Sequence, residues 1–251
     1  RNRVEEAQVL EVLDQGLPPE TTLRLDANQG LTVEAAAAIL EGVAPARIEY
    51  VEEPVRDAGR LEAFHERTGL PVALDELLFS PDAASLVALP FVSTLVLKPA
   101  LRGGVMETVA DAERAREKDK RVVISSCFES GLGLGILAQL AAAVMEEGVA
   151  AGLATDAWLA EDTVEPAFDT SRGWVDVSAL APTLRDWLVG PDRELRGIAC
   201  RTIAGLRLAG MSDDVRECLR YAGQRDQRRI AREALEALGH RLDDALSTPG
   251  D

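Results

Sequence analysis

Four residues combine types and spacing that can do chemistry: Asp26, Glu52, Asp75 and Lys98. Each ends an apolar, strand-forming run, in Leu23-Arg24-Leu25-Asp26, Ile48-Glu49-Tyr50-Val51-Glu52, Val72-Ala73-Leu74-Asp75 and Thr94-Leu95-Val96-Leu97-Lys98. Uncompensated charge at the end of a buried strand is costly. Three carboxylates sharing one pocket repel unless a proton or a cation bridges them. A hard divalent ion with oxygen ligands resolves that repulsion. Mg²⁺ suits it, because it takes a few carboxylates and keeps positions open for substrate, with Mn²⁺ as a substitute ion. For any one acid the simpler reading is a helix cap or a partner for an arginine. Three in register, with a lysine on the next strand, favour the metal. Lys98 itself has two readings, as a salt-bridge partner or as an ammonium near a cation whose pKa is pushed down for proton transfer.

A repeating scaffold must position these residues. Strand-like runs begin roughly 22–30 residues apart with helical patterns between them, the rhythm of strand–helix units crossing over into a parallel sheet. Strands are predicted at 23–28, 48–53, 71–75, 93–98 and 121–127, with a last short candidate at Gly152-Leu153-Ala154-Thr155. Helices are predicted at 4–13, 33–42, 58–68, 81–89, 104–118 and 133–147, with Val4, Ala7, Val9, Leu10 and Leu13 on one face of the first. Thr32 reads as the N-cap of the second. A charge at each strand's C-terminal end favours a (β/α)8-type barrel, whose site gathers at that face. A doubly wound sheet would instead offer a phosphate loop after its first strand, where this chain has Asp26-Ala27-Asn28. With only six units visible, two strands of a full (β/α)8 barrel are unaccounted for.

After Thr155 the pattern turns irregular around Trp158, Pro166 and Gly173-Trp174, as in a tail packed over a barrel. Residues 191–251 read as two or three arginine-rich helices broken at Gly210-Met211-Ser212, with the Arg/Glu alternation of solvated faces. Two segments are thus expected, a partial barrel over 1–190 and a C-terminal helical extension over 191–251.

Composition limits the function classes. A hydrophobic content of 47% supports a sizeable core, and a net charge of −16 argues against nucleic acid or an anionic membrane as a partner. The excess belongs to the first segment, since residues 191–251 carry 11 Arg and 11 Asp+Glu. No run reaches membrane length and no basic-then-apolar leader opens the chain, so no membrane insertion and a cytoplasmic location are expected. Oligomeric state is left open. Cys127, Cys200 and Cys218 are odd in number and far apart in sequence. They fit neither a disulfide framework nor a zinc cluster and favour a reducing compartment. Only two histidines, His65 and His240, argue against His-based zinc catalysis. Lys98 stands out because the other lysines, Lys118 and Lys120, sit in a charged run.

The strand after Lys98 ends in Ser125-Ser126-Cys127-Phe128-Glu129-Ser130, and Gly131-Leu132-Gly133-Leu134-Gly135 then opens a helix. Glycines at that spacing suit backbone amides at a helix N-terminus that meet an anionic substrate group. Taken with Leu23-Arg24-Leu25-Asp26-Ala27-Asn28, Val51-Glu52-Glu53-Pro54, Leu74-Asp75-Glu76 and Leu97-Lys98-Pro99, this order of motifs resembles the enolase superfamily, and within it the o-succinylbenzoate synthases of menaquinone biosynthesis. The resemblance covers about residues 1–190 and leaves 191–251 unexplained. It implies that Asp26, Glu52 and Asp75 bind Mg²⁺, and that Asn28, Glu53 and Glu76 orient those ligands. It implies that Lys98 lies on one face of a small-molecule carboxylate substrate. Arg24, Ser125, Ser126, Glu129 and Gly131 would contact that substrate. The implied reaction is a syn dehydration of a cyclohexadiene carboxylate through an enediolate. Racemisation of N-succinylamino acids or epimerisation of dipeptides on the same scaffold is the neighbouring reading. The resemblance also shows departures. Cys127 and Gly131 stand where serines are usual. The family's Lys-x-Lys acid/base strand, the strand before it and the capping domain precede the matched segment. The chain is therefore expected to be N-terminally truncated and to carry the metal half of a site. A catalytically inactive barrel fragment is the remaining reading.

Overall fold

The computed structural model describes residues 3–164, 167–177, 188, 196–197, 199–200, 203–204, 212–221 and 225–239. Pro166, and Gly210 and Met211 of the predicted helix break, lie outside the described residues. Packing divides the chain into two units, one of residues 1–97 with 113–123 and the other of 98–112 with 124–251.

The first unit alternates helix and strand. In order come α1 (Arg3–Gly16), β1 (Leu23–Asp26), α2 (Val33–Leu40), β2 (Ile48–Glu52), α3 (Leu61–Thr68), β3 (Val72–Leu74), α4 (Ala83–Val87) and β4 (Val92–Leu97). Helix α5 (Val105–Arg116) crosses the division and leads back to β5 (Arg121–Ile124). The sheet runs β1-β2-β3-β4-β5 in sequence order, and the first four strands pair in parallel. Every residue of β3 is fully buried, as expected of a parallel strand covered on both faces. Strands of a flat sheet lie about 4.8 Å apart, which would put β5 three spacings from β2. Arg121 on β5 nonetheless donates to Glu49 Oε1 on β2 at 2.6 Å. The sheet is curled, a half-barrel.

Local chemistry explains the elements. Thr32 Oγ1 accepts the Ala35 N–H at 3.2 Å, so the predicted N-cap of α2 forms. Arg47 pairs with Asp14 at 2.8 Å and donates to the carbonyls of Pro18, Pro19 and Thr21, tying the loop after α1 to the foot of β2. Lys120, in the charged run before β5, is buried. Its Nζ donates to the carbonyls of Leu89 and Val92 at 2.9 and 2.7 Å, and burial pulls its pKa down. Helix α1 does not present the single buried face its pattern suggests. Leu10 is buried, whereas Val9 is 57% and Leu13 37% exposed.

The second unit holds α6 (Gly131–Val144), an irregular stretch with a 3₁₀ turn at Asp156–Trp158, and two later helices, α7 (Ser212–Tyr221) and α8 (Arg225–Ala237). The predicted sixth strand is reduced to a single parallel bridge between Gly152 and Ser125. A side chain at 152 would come within 2.8 Å of Ser125 Oγ, so only glycine lets the backbones meet. Helices α7 and α8 share a small core with helical residues 199, 200 and 203, built from Ala199, Ile203, Val215, Leu219, Ala234 and Leu235 among others. The described residues of the arginine-rich segment are therefore mostly helical, and they share a buried apolar core that also takes in Leu188.

Candidate active site

Strand register brings the first two acids together. Asp26 lies directly beside Glu52 across the β1–β2 pair, and Glu52 lies beside Ala73, two residues before Asp75. Asn28 sits in the left-handed region at φ 47°. That turn lets its backbone N–H and its Nδ2 donate to the two oxygens of Asp26, at 2.8 and 2.7 Å. Asn28 thereby fixes the Asp26 carboxylate. Glu76 is exposed at the start of the 3₁₀ turn after β3. Asp75 is only 2% exposed. Among the described residues no three His, Cys, Asp or Glu side chains are grouped closely enough to hold a metal ion. The fold sets Asp26 and Glu52 side by side and Asp75 one strand further on, without gathering the three carboxylates. The donors are all carboxylate oxygens, and that chemistry fits a hard divalent ion.

Glu53 is the hub of this end of the sheet. It is fully buried and takes φ 45°, a conformation that costs of order 1–3 kcal/mol outside glycine and collects at functional sites. The twist turns its side chain under the β3 loop. Glu53 Oε1 accepts the N–H groups of Asp75 and Leu77 at 2.8 and 3.0 Å. Oε2 accepts from Gln29 Nε2 at 2.9 Å, and the Gln29 N–H donates to the Glu53 carbonyl at 2.8 Å. One carboxyl therefore ties the loops after β1, β2 and β3. Gln29 escaped the sequence reading, because nothing in its type distinguishes it from a loop glutamine. Its φ of 56° is visible only in the fold.

Arg24, expected to contact substrate, is held within the protein. Its guanidinium donates to both oxygens of Glu49, at 2.7 and 3.2 Å, and lies over the Tyr50 ring at 5.4 Å. Burial alone would raise the Glu49 pKa, but the hydrogen bond and charge of Arg24, joined by Arg121, hold it below the ordinary range. Burial pushes Tyr50 up to about 12. A carboxylate between two arginines inside a curled sheet is a structural charge network.

In the second unit, Lys98 follows β4 directly and opens a turn, its carbonyl accepting the N–H groups of Leu101 and Arg102. Its side chain is half-buried. At the end of β5, the Ser126 hydroxyl meets Thr155 Oγ1 at 2.9 Å, and Ser125 Oγ donates to the Gly152 carbonyl at 3.4 Å. Glu129 Oε2 accepts the Cys127 N–H at 2.5 Å. The Gly131 amide does not face an open anion site. It donates to Asp162 Oδ1 at 2.7 Å, and the same carboxylate accepts the N–H groups of Thr163 and Phe168. These bonds, those from Phe168 and Gly131 first, hold the Asp162 pKa below the carboxylate range. The protein's own aspartate is thus the anion at the N-terminus of α6. Asp162 also explains Gly131, since a Cβ there would stand 2.1 Å from Oδ2. A serine at this position would collide. The roles of Asp162 and Thr155 were not legible in the sequence, because their partners lie 31 and 29 residues away.

Comparison with known proteins agrees with the motifs. Residues 2–182 match the family described as Enolase C-terminal domain-like. The o-succinylbenzoate synthase of Klebsiella pneumoniae is 34% identical over 184 residues, covering 72% of this chain and 56% of that protein. The o-succinylbenzoate synthase of Vibrio cholerae is 42% identical over 129 residues, covering 49% of this chain and 39% of that one. The chain spans about half the length of these curated relatives. Among solved structures, the dipeptide epimerase from Enterococcus faecalis, complexed with Mg and the dipeptide L-Leu-L-Tyr, matches with a TM-score of 0.57 at 24% identity. That match covers 65% of this chain and 47% of the other and speaks to the fold.

Proposed function

Because the chain belongs to the Enolase C-terminal domain-like family, a lyase-type enzyme family, we propose that it is the metal-binding part of an o-succinylbenzoate synthase of menaquinone biosynthesis. The observation that carries this reading is 34% identity to such a synthase over 184 residues, with the motifs of Asp26, Glu52, Asp75 and Lys98 in order at successive strand ends. Asp26, Glu52 and Asp75 would hold Mg²⁺, or Mn²⁺ in its place. The ion supplies positive charge to a substrate carboxylate whose negative charge grows as the neighbouring proton leaves.

The chain's own residues then have separate tasks. Asn28 holds the Asp26 carboxylate, and Glu53 fixes the loop that carries Asp75. Lys98 supplies a cationic group that stabilises developing negative charge. Ser125, Ser126 and Glu129 contact the rest of a small carboxylate substrate, with Gly131 shaping that wall. Residues 1–190 form the catalytic segment and 191–251 an appended helical one. The product is an aromatic carboxylate formed by syn loss of water from a cyclohexadiene carboxylate. The test is to assay this chain joined to the family's Lys-x-Lys strand and capping domain, with Mg²⁺ and that cyclohexadiene substrate, and separately with N-succinylamino acids and dipeptides. Loss of water from the first, abolished by Lys98→Ala, is the expected result. Racemisation or epimerisation without dehydration would replace the reading.

A further inference from the structure

Cys200 and Cys218 stand apart in sequence but meet in the helical core of the second unit. Both thiols are almost fully buried, at 2% and 5% exposure, among Ala199, Ile203, Val215 and Leu219. Both belong to one buried cluster. Arg196, four residues before Cys200 in sequence, adds its charge near Cys218. Cys127, the third cysteine, is half-exposed.

We propose that Cys200 and Cys218 form a reversible disulfide when the protein meets a hydroperoxide, stapling the helix around residue 200 to α7. The juxtaposition of two thiols in one small core, with a guanidinium beside them, carries the proposal. The thiol contact with Cys200, opposed by burial and aided by Arg196, brings the Cys218 pKa down to about 7, so a thiolate is on hand near neutral pH. The Cys218 sulfur attacks one peroxide oxygen, the O–O bond breaks and hydroxide leaves, giving a sulfenic acid. The Cys200 sulfur then attacks the sulfenic sulfur. The S–S bond forms as S–O breaks, and the departing hydroxide takes the Cys200 proton as water. In total two thiols are oxidised and one hydrogen peroxide is reduced to two waters. Because both thiols are buried, the reaction requires the small core to open locally. In a reducing compartment such a bond is transient and redox-sensing rather than structural.

The experiment treats the full, fully reduced chain with limiting hydrogen peroxide, alkylates the remaining thiols and maps peptides without reduction. The expected result is one intrachain Cys200–Cys218 link with loss of two hydrogens, Cys127 still alkylated, and full reversal by dithiothreitol. Cys200→Ser should stop the reaction at a sulfenic acid on Cys218, and Cys218→Ser should leave Cys200 a thiol. Alkylation of both Cys200 and Cys218 at a peroxide dose that oxidises Cys127 would overturn the proposal, as would a link through Cys127. Should either variant lose helical circular dichroism, the wild-type peptide map alone decides.

Discussion

Glu53 carries more of the site than its place beside a metal-ligand candidate suggests. Its buried carboxyl satisfies the N–H groups of Asp75 and Leu77, and a buried donor left without a partner costs roughly 1–3 kcal/mol. Glu53→Ala is predicted to destabilise the fold by about 3 kcal/mol in a denaturant titration. Glu53→Gln keeps an oxygen for both donors and requires Gln29 to turn its amide, so its loss should stay below about 1 kcal/mol. Equal losses in the two variants would show that the bonds to the β3 loop are not what Glu53 contributes. Asp162 gives a prediction with a direction in pH. Its folded carboxyl titrates below the ordinary range, so as pH falls the unfolded chain takes up this proton first. The clamp on α6 therefore contributes fully above the ordinary carboxylate range and is lost as pH falls through the lowered value. Unfolding midpoints between pH 6 and 3 (roughly the carboxylate window) should fall more steeply for the wild type than for Asp162→Asn. Parallel curves would remove Asp162 from the account.

Among the elements, the curled sheet depends on charges that cross it. Glu49 on β2 is shared by Arg24 on β1 and Arg121 on β5, and removing the shared carboxylate leaves two facing guanidiniums. Glu49→Ala is predicted to cost about 2 kcal/mol, and the added change Arg121→Met should recover part of it. Additive losses in the double variant would mean that the two groups do not interact. The strands and most helices were legible because apolar runs ending in a charge recur at a fixed rhythm, and Thr32 marked the start of α2. What was not legible depended on partners distant in sequence. Arg24 read as a substrate contact because Glu49 and Tyr50 become its neighbours only when β1 and β2 pair. Lys120 read only as part of a charged run because the carbonyls that bury it, those of Leu89 before β4 and Val92 at its start, lie about thirty residues away. Gly131 read as a cradle for a substrate anion because Asp162 lies a whole helix and loop away. The candidate strand at Gly152 shrank to one bridge with Ser125, a contact that leaves room for glycine alone.

At the scale of the whole chain, the family match over residues 2–182 and the separate helical core at 199–235 describe a protein whose chemistry and whose extension are built by different means. The proposed chemistry rests on carboxylates delivered by strand ends; the C-terminal helices rest on an apolar core that holds two cysteines. The central claim is that Asp26, Glu52 and Asp75 form a hard-cation site, although the three side chains are not gathered in the fold described. Calorimetric titration of Mg²⁺ into the chain tests it most directly, with Asp26→Ala and Glu52→Ala titrated alongside. The account predicts one saturable site in the wild type, weakened at least about tenfold in each variant, as loss of a direct ligand should do. Absence of Mg²⁺ binding to the wild type, or affinity unchanged in both variants, would contradict it.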